Sequence, residues 1–136
     1  MGEAKQTPNE AGFATVQTSG ADRQFSTGAH RDAAGGKGRF DLLPVYALMR
    51  LAKHYENGSV RHGDRNWERG MPLSSYTDSA FRHLVKFMDG SRDEDHLAAV
   101  LWNVSGYLWT EREIREGRLP DDLADVPWPD STEKKE

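Results

Sequence analysis

The chain has 136 residues, with 22 Asp and Glu against 18 Lys and Arg, a formal net charge of -4 and no cysteine. Affinity for a polyanion needs clustered Lys and Arg that release counterions, so this balance argues against nucleic acid as a partner, and the missing thiols exclude disulfides and thiolate metal centres. No apolar run approaches the roughly 18 residues of a membrane span and the N-terminus has no hydrophobic signal core, which predicts a cytoplasmic protein with no membrane partner.

Residues 1–36 are rich in Gly, Ala, Ser, Thr and charge, with scattered Phe13, Val16 and Phe25. Residues 1–24 read as a flexible N-terminal arm, with order expected only towards residue 36. Gly35-Gly36-Lys37-Gly38 suggests a phosphate loop, but the positions where that motif carries Gly and Ser or Thr hold Arg31 and Gly38. A hinge entering the first helix explains it better.

Asp41 and Pro44 fit a helix entry, and Val45, Leu48, Leu51, Ala52 and Tyr55 keep helical spacing up to Asn57-Gly58, a left-handed stop. The first helix is therefore expected over about 42–57. A long glycine-punctuated loop, 58–74, follows, and loops of that length in small domains usually carry function. Ser75 with Asp78 fits a capping box for a second helix, 75–89, whose buried face would be Ala80, Phe81, Leu84, Val85 and Met88, closed by Gly90. Ser91 with Glu94 repeats that box and opens a third helix, 92–116, with a stripe of Leu97, Leu101, Val104 and Leu108 and a stop at Gly117. After it, Leu119, Leu123, Val126 and Trp128 would lay a short arm on the bundle, and 129–136 is a charged tail. The expected fold is all-α with a three-helix core, too thin to bury every apolar face and so completed by self-association into a homo-oligomer.

The chemistry concentrates between residues 55 and 103. On the third helix His96, Asn103 and Tyr107 form a polar seam beside the stripe, fit either for a ligand or for interhelical hydrogen bonds. Asp78 and Arg82, four apart, explain one another as an ion pair. Asp93, Glu94 and Asp95 suit a helix start through its dipole; equally, with Glu56 and Asp64, they could hold a divalent cation. Glu94 is the weaker candidate because capping accounts for it. Arg65 and Arg69, with nearby Arg61 and His62, could hold phosphate while Trp67 stacks on a base, or Trp67 could simply plug the loop onto the bundle.

Several blocks together resemble one family. Phe25-Ser26-Thr27-Gly28-Ala29-His30-Arg31-Asp32, Gly36 to Pro44, Tyr55-Glu56-Asn57-Gly58, His62 to Gly70, Asp78 to Leu84 and Asp95 to Asn103 resemble the phage dATP/dGTP diphosphohydrolase N-terminal domain family, over a domain of about 25–128. The resemblance implies Mg²⁺-dependent, or Mn²⁺-dependent, cleavage of a purine deoxynucleoside triphosphate to monophosphate and pyrophosphate, in the manner of MazG-type helical enzymes. It implies metal binding or water orientation by Glu56, Asp78 and Asp95. It further implies proton transfer or phosphate binding by His83 and His96, phosphate binding by Arg65 and Arg82, and base recognition by Trp67 and Asn103. The MazG-type succession of Glu-x-x-Glu on one helix and Glu-x-x-Asp on the next does not appear in the second and third helices, where Glu113-Ile114-Arg115-Glu116 reads as surface salt bridges, and this leaves a non-catalytic helical oligomer that binds a nucleotide or partner protein as the competing expectation.

Overall fold

The computed structural model describes residues 4–8, 10–13, 16–17 and 20–127, so Trp128 and the charged tail lie outside the described residues. The chain divides into two compact units, Met1–Leu43 and Pro44–Glu136. Within the first, strands β1 (Arg23–Gln24) and β2 (His30–Arg31) pair antiparallel. The Phe25 amide bonds the Ala29 carbonyl at 2.8 Å, and Gly28, at φ 89°, takes the left-handed position of the turn. His30 Nδ1 lies 2.9 Å from Asp22. The Phe25–Asp32 block is thus mostly hairpin.

The second unit carries three helices, α1 (Val45–His62), α2 (Leu73–Met88) and α3 (His96–Arg115), confirming the all-α core. Their boundaries shift in instructive ways. α1 runs through Asn57-Gly58 and stops five residues later at Gly63, whose φ of 85° a side chain would resist. The extra turn shortens the loop and adds Ser59 and His62 to the helix.

α2 starts at Leu73, after Pro72, with no cap from the Ser75–Asp78 box. Ser75 instead turns its hydroxyl to the Pro72 carbonyl at 2.6 Å, and Asp78 pairs with Arg82 at 2.9 Å. A distant residue serves the helix start: Asp125 accepts from the Ser74 amide at 2.9 Å and from its hydroxyl. α3 starts four residues later than the Ser91–Glu94 box requires, because Asp95 is its cap and accepts from the Ala98 amide at 3.0 Å.

α3 packs mainly on α2 and also touches α1. Leu73, Tyr76, Ala98, Ala99 and Ile114 form the apolar core, with Thr110 and Asn103 buried beside them. Most of the stripe expected to be buried is exposed: Leu97 is half-buried, but Leu101, Val104 and Leu108 retain 40%, 47% and 61% of their surface, and on α2 Phe81, Val85 and Met88 are also open. Size explains the reversal. Tyr76 of α2 lies so close to α3 that a Cβ at Gly106 would stand 2.5 Å from its ring, so at this crossing α3 presents small residues to α2 and leaves Leu101, Val104 and Leu108 outside.

At the far end α3 closes as expected, with Gly117 at φ 74° and the Arg118 amide on the Glu113 carbonyl at 2.9 Å. The exit segment folds back, and the Leu119 and Leu123 side chains meet Gly70.

Candidate nucleotide cavity and the histidine cluster

The last two turns of α1, the loop after it and one residue of α3 enclose a cavity of about 590 Å³. α1 supplies Tyr55, Glu56, Gly58, Ser59 and His62. The loop supplies Gly63, Asp64, Arg65, Asn66, Trp67 and Met71, and α3 supplies Trp102. The size falls in the range of small-molecule sites, ~300–1,000 Å³.

Its wall is aromatic and held from behind. Tyr55 lies 6.1 Å from Trp67 and 6.0 Å from Trp102, and Trp67 stands edge-on to Trp109 at 4.9 Å. These contacts hold the Trp67 ring against Tyr55 and Trp109 while it lines the cavity, so anchoring the loop and lining a ligand site are compatible roles. Gly58 sits in mid-helix with nothing within 4 Å of where a Cβ would be, which keeps that side of the cavity open. Arg65 is the single non-glycine residue with positive φ among the described residues, at φ 57° and ψ 27°. An L-residue there costs ~1–2 kcal/mol. Its guanidinium is mostly exposed and touches Glu68 at 3.3 Å. Glu56 pairs with Lys53 at 2.8 Å.

Three residues expected at the site, Glu56, Arg65 and Trp67, therefore meet in one cavity. The others do not line it. Asn103 is buried and donates to the Ala99 carbonyl of its own helix at 2.8 Å, beside a smaller cavity of about 190 Å³. Arg82 bonds Asp78 and Ser79 on its own helix α2. Asp95 receives both Nε and Nη2 of Arg50, at 2.8 and 2.6 Å, and that ion pair holds its pKa down at about 2. Glu56, Asp78 and Asp95 thus face three different cations, and they do not form a ligand group among the described residues.

His83 and His96 come together elsewhere, between the second half of α2 and the start of α3. Their Nδ1 atoms are 2.9 Å apart, and Glu94 Oε1 lies 3.0 Å from His83 Nδ1 and 3.5 Å from His96 Nδ1. His96 is buried, and its Nε2 faces Asp93 Oδ1 at 2.8 Å and Ser91 Oγ at 3.2 Å. Hydrogen bonds from Ser91 and His96 bring the Asp93 pKa down to about 2. Desolvation lowers that of His83, against the opposing pull of Glu94.

Sequence reasoning passed over Glu94, because Ser91–Glu94 spacing looks like a cap. It grouped His62 with the loop arginines as a possible phosphate contact and left Trp102 without a role. Tyr55, His62 and Trp102 all lie in the chemically dense 55–103 stretch, and that density was the available signal.

No curated protein and no solved structure matches the chain. A family model described as dATP/dGTP diphosphohydrolase, N-terminal, matches residues 27–118, which include the whole aromatic cavity and the histidine cluster. The chain belongs to the dATP/dGTP diphosphohydrolase N-terminal domain family.

Proposed function

We propose that the cavity receives a purine deoxynucleoside triphosphate, dATP or dGTP, and that the chain hydrolyses it to the monophosphate and pyrophosphate. The observation that carries this reading is the lining of one nucleotide-sized cavity by Trp67, Trp102, Arg65, His62, Glu56 and Asp64. The family's name points to the same chemistry, and the setting we infer for it is phage nucleotide metabolism in the host cytoplasm.

Trp67 and Trp102 offer π faces for the purine, while Arg65 and His62 suit the phosphate oxygens. Water attacks the α-phosphorus, the bond from that phosphorus to the bridging oxygen breaks, and pyrophosphate departs. Glu56 takes the proton from the attacking water. Glu56 and Asp64, both on the cavity, have the oxygen donors that Mg²⁺ or Mn²⁺ takes and would hold it. Such an ion, when bound, neutralises charge on the phosphates. The set Glu56, Asp78 and Asp95 does not fit one ion within a chain.

The test is pyrophosphate release from each deoxynucleoside triphosphate with Mg²⁺ and with Mn²⁺. Turnover of dATP or dGTP, reduced ~10²-fold or more by Glu56→Gln with unchanged thermal stability, supports the reading. No turnover across the panel ends it.

A second reading, a non-catalytic helical oligomer, draws on the open apolar faces of α2 and α3, including Phe81, Leu101, Val104 and Leu108. Self-association through those faces is compatible with either reading. Monodisperse monomer at high concentration would remove it.

A further inference from the structure

The histidine cluster has the form of a metal centre, and its chemistry differs from that of the cavity. Three potential donors converge there: His83 Nδ1, His96 Nδ1 and Glu94 Oε1, separated by 2.9, 3.0 and 3.5 Å. Two donors that share an ion ~2.1 Å from each stand about 3.0 Å apart at a right angle and about 3.4 Å apart at the tetrahedral angle. The triangle therefore has the dimensions of one face of a coordination shell.

The surroundings of His96 favour the same conclusion. A carboxylate can only accept, so the 2.8 Å contact with Asp93 puts the proton of His96 on Nε2. Nδ1 is left with a lone pair directed at the other two donors. A carboxylate behind a histidine, fixing its tautomer and orientation, is the usual outer partner of a metal-bound imidazole.

We propose that His83, Glu94 and His96 bind a first-row divalent transition-metal ion such as Zn²⁺, with Asp93 as the positioning residue behind His96. Two imidazole nitrogens and one carboxylate select such an ion over Mg²⁺, which takes an oxygen shell. Three protein ligands leave a position for water, and Glu94, half exposed, lies on the solvent side of buried His96. The ion joins α2 to the start of α3 across the Gly90 turn. The site stands apart from the cavity's lining, and the proposal holds whether or not the cavity hydrolyses nucleotides.

A metal-free account has His83 Nδ1–H donating to His96 Nδ1 and Glu94, so the experiment must separate a bound ion from a hydrogen bond. The full chain, stripped with a chelator, is titrated with Co²⁺ and followed by visible absorption and thermal melting. One Co²⁺ per chain is expected, displaced stoichiometrically by Zn²⁺ and not by a hundredfold excess of Mg²⁺. Glu94→Gln, at an exposed side chain, and His83→Ala should each weaken binding more than tenfold while circular dichroism is unchanged. Asp93→Asn should weaken it ~10–100-fold. Zn²⁺ should raise the melting temperature of the parent chain and not that of Glu94→Gln. The proposal is overturned if the parent chain develops no Co²⁺ spectrum, if the folded variants bind as tightly as the parent, or if Mg²⁺ competes on equal terms.

Discussion

Two glycines lie inside the helices of the Pro44–Glu136 unit, and their surroundings are opposite. At Gly106 of α3 a Cβ would sit 2.5, 3.0 and 3.1 Å from three atoms of the Tyr76 ring, whereas at Gly58 of α1 it would meet nothing within 4 Å and would border the cavity. Glycine costs a helix ~1 kcal/mol relative to alanine wherever it occurs. At Gly106 that cost allows α2 and α3 to approach closely enough to exclude water from Tyr76 and Thr110. At Gly58 it leaves space beside Trp67 and Trp102. One glycine serves packing and the other serves the site.

The contrast is sharpest under the same substitution. Gly106→Ala should destabilise the chain by ~2 kcal/mol even after the gain in helix propensity, because the obstructing ring is rigid and fully buried. Denaturant melts would show it, and a rise in stability would mean that α2 can move away at little cost. Gly58→Ala should do the reverse and stabilise α1 by ~0.5–1 kcal/mol. Gly58→Leu would extend a side chain into the cavity, so nucleotide affinity should fall by tenfold or more in calorimetry with the fold intact. Unchanged affinity would place the ligand elsewhere.

Arg65 offers a smaller and cleaner separation of stability from function. Its left-handed backbone is tolerated most cheaply by glycine, so Arg65→Gly should stabilise the fold by ~1 kcal/mol. The same change removes the guanidinium proposed to meet phosphate, and KM for the triphosphate should rise several-fold. A variant that gains stability and keeps its KM would show Arg65 strained without a role in binding.

These residues also show how far the sequence could be read. Helix content, the stops at Gly90 and Gly117 and the return of Leu119 and Leu123 follow from local rules that held. The Asn57-Gly58 stop failed because glycine permits a left-handed turn without requiring one, and α1 had enough packing to continue to Gly63. Beyond half-buried Leu97, the Leu101, Val104 and Leu108 stripe failed for another reason. Periodicity finds an apolar face but cannot say whether a neighbouring helix needs small residues more, and Ala98, Ala99 and Gly106 won that contact.

At the site, Glu56, Arg65 and Trp67 were legible because they share a short stretch of chain. Glu94 was obscured by two competing caps one helical turn apart, Ser91 and Asp95. A helix starting at the Ser91 box would use Glu94 as its capping partner. With Asp95 as the true cap, Glu94 is released to face His83.

The smallest expected effect tests the one helix start that no local pattern could reveal. Asp125 reaches back 51 residues to accept from the Ser74 amide and hydroxyl, and those bonds lower its pKa below the ordinary 3.8. A carboxyl whose pKa is lower in the folded than in the unfolded chain stabilises the fold fully above its unfolded value. That contribution disappears as pH falls through the folded value. Asp125→Ala should therefore melt below the parent at neutral pH, and the gap should close as the pH drops below 3.8. A gap that persists in acid would mean that Asp125 acts through packing of the exit segment and not through its charge at the start of α2.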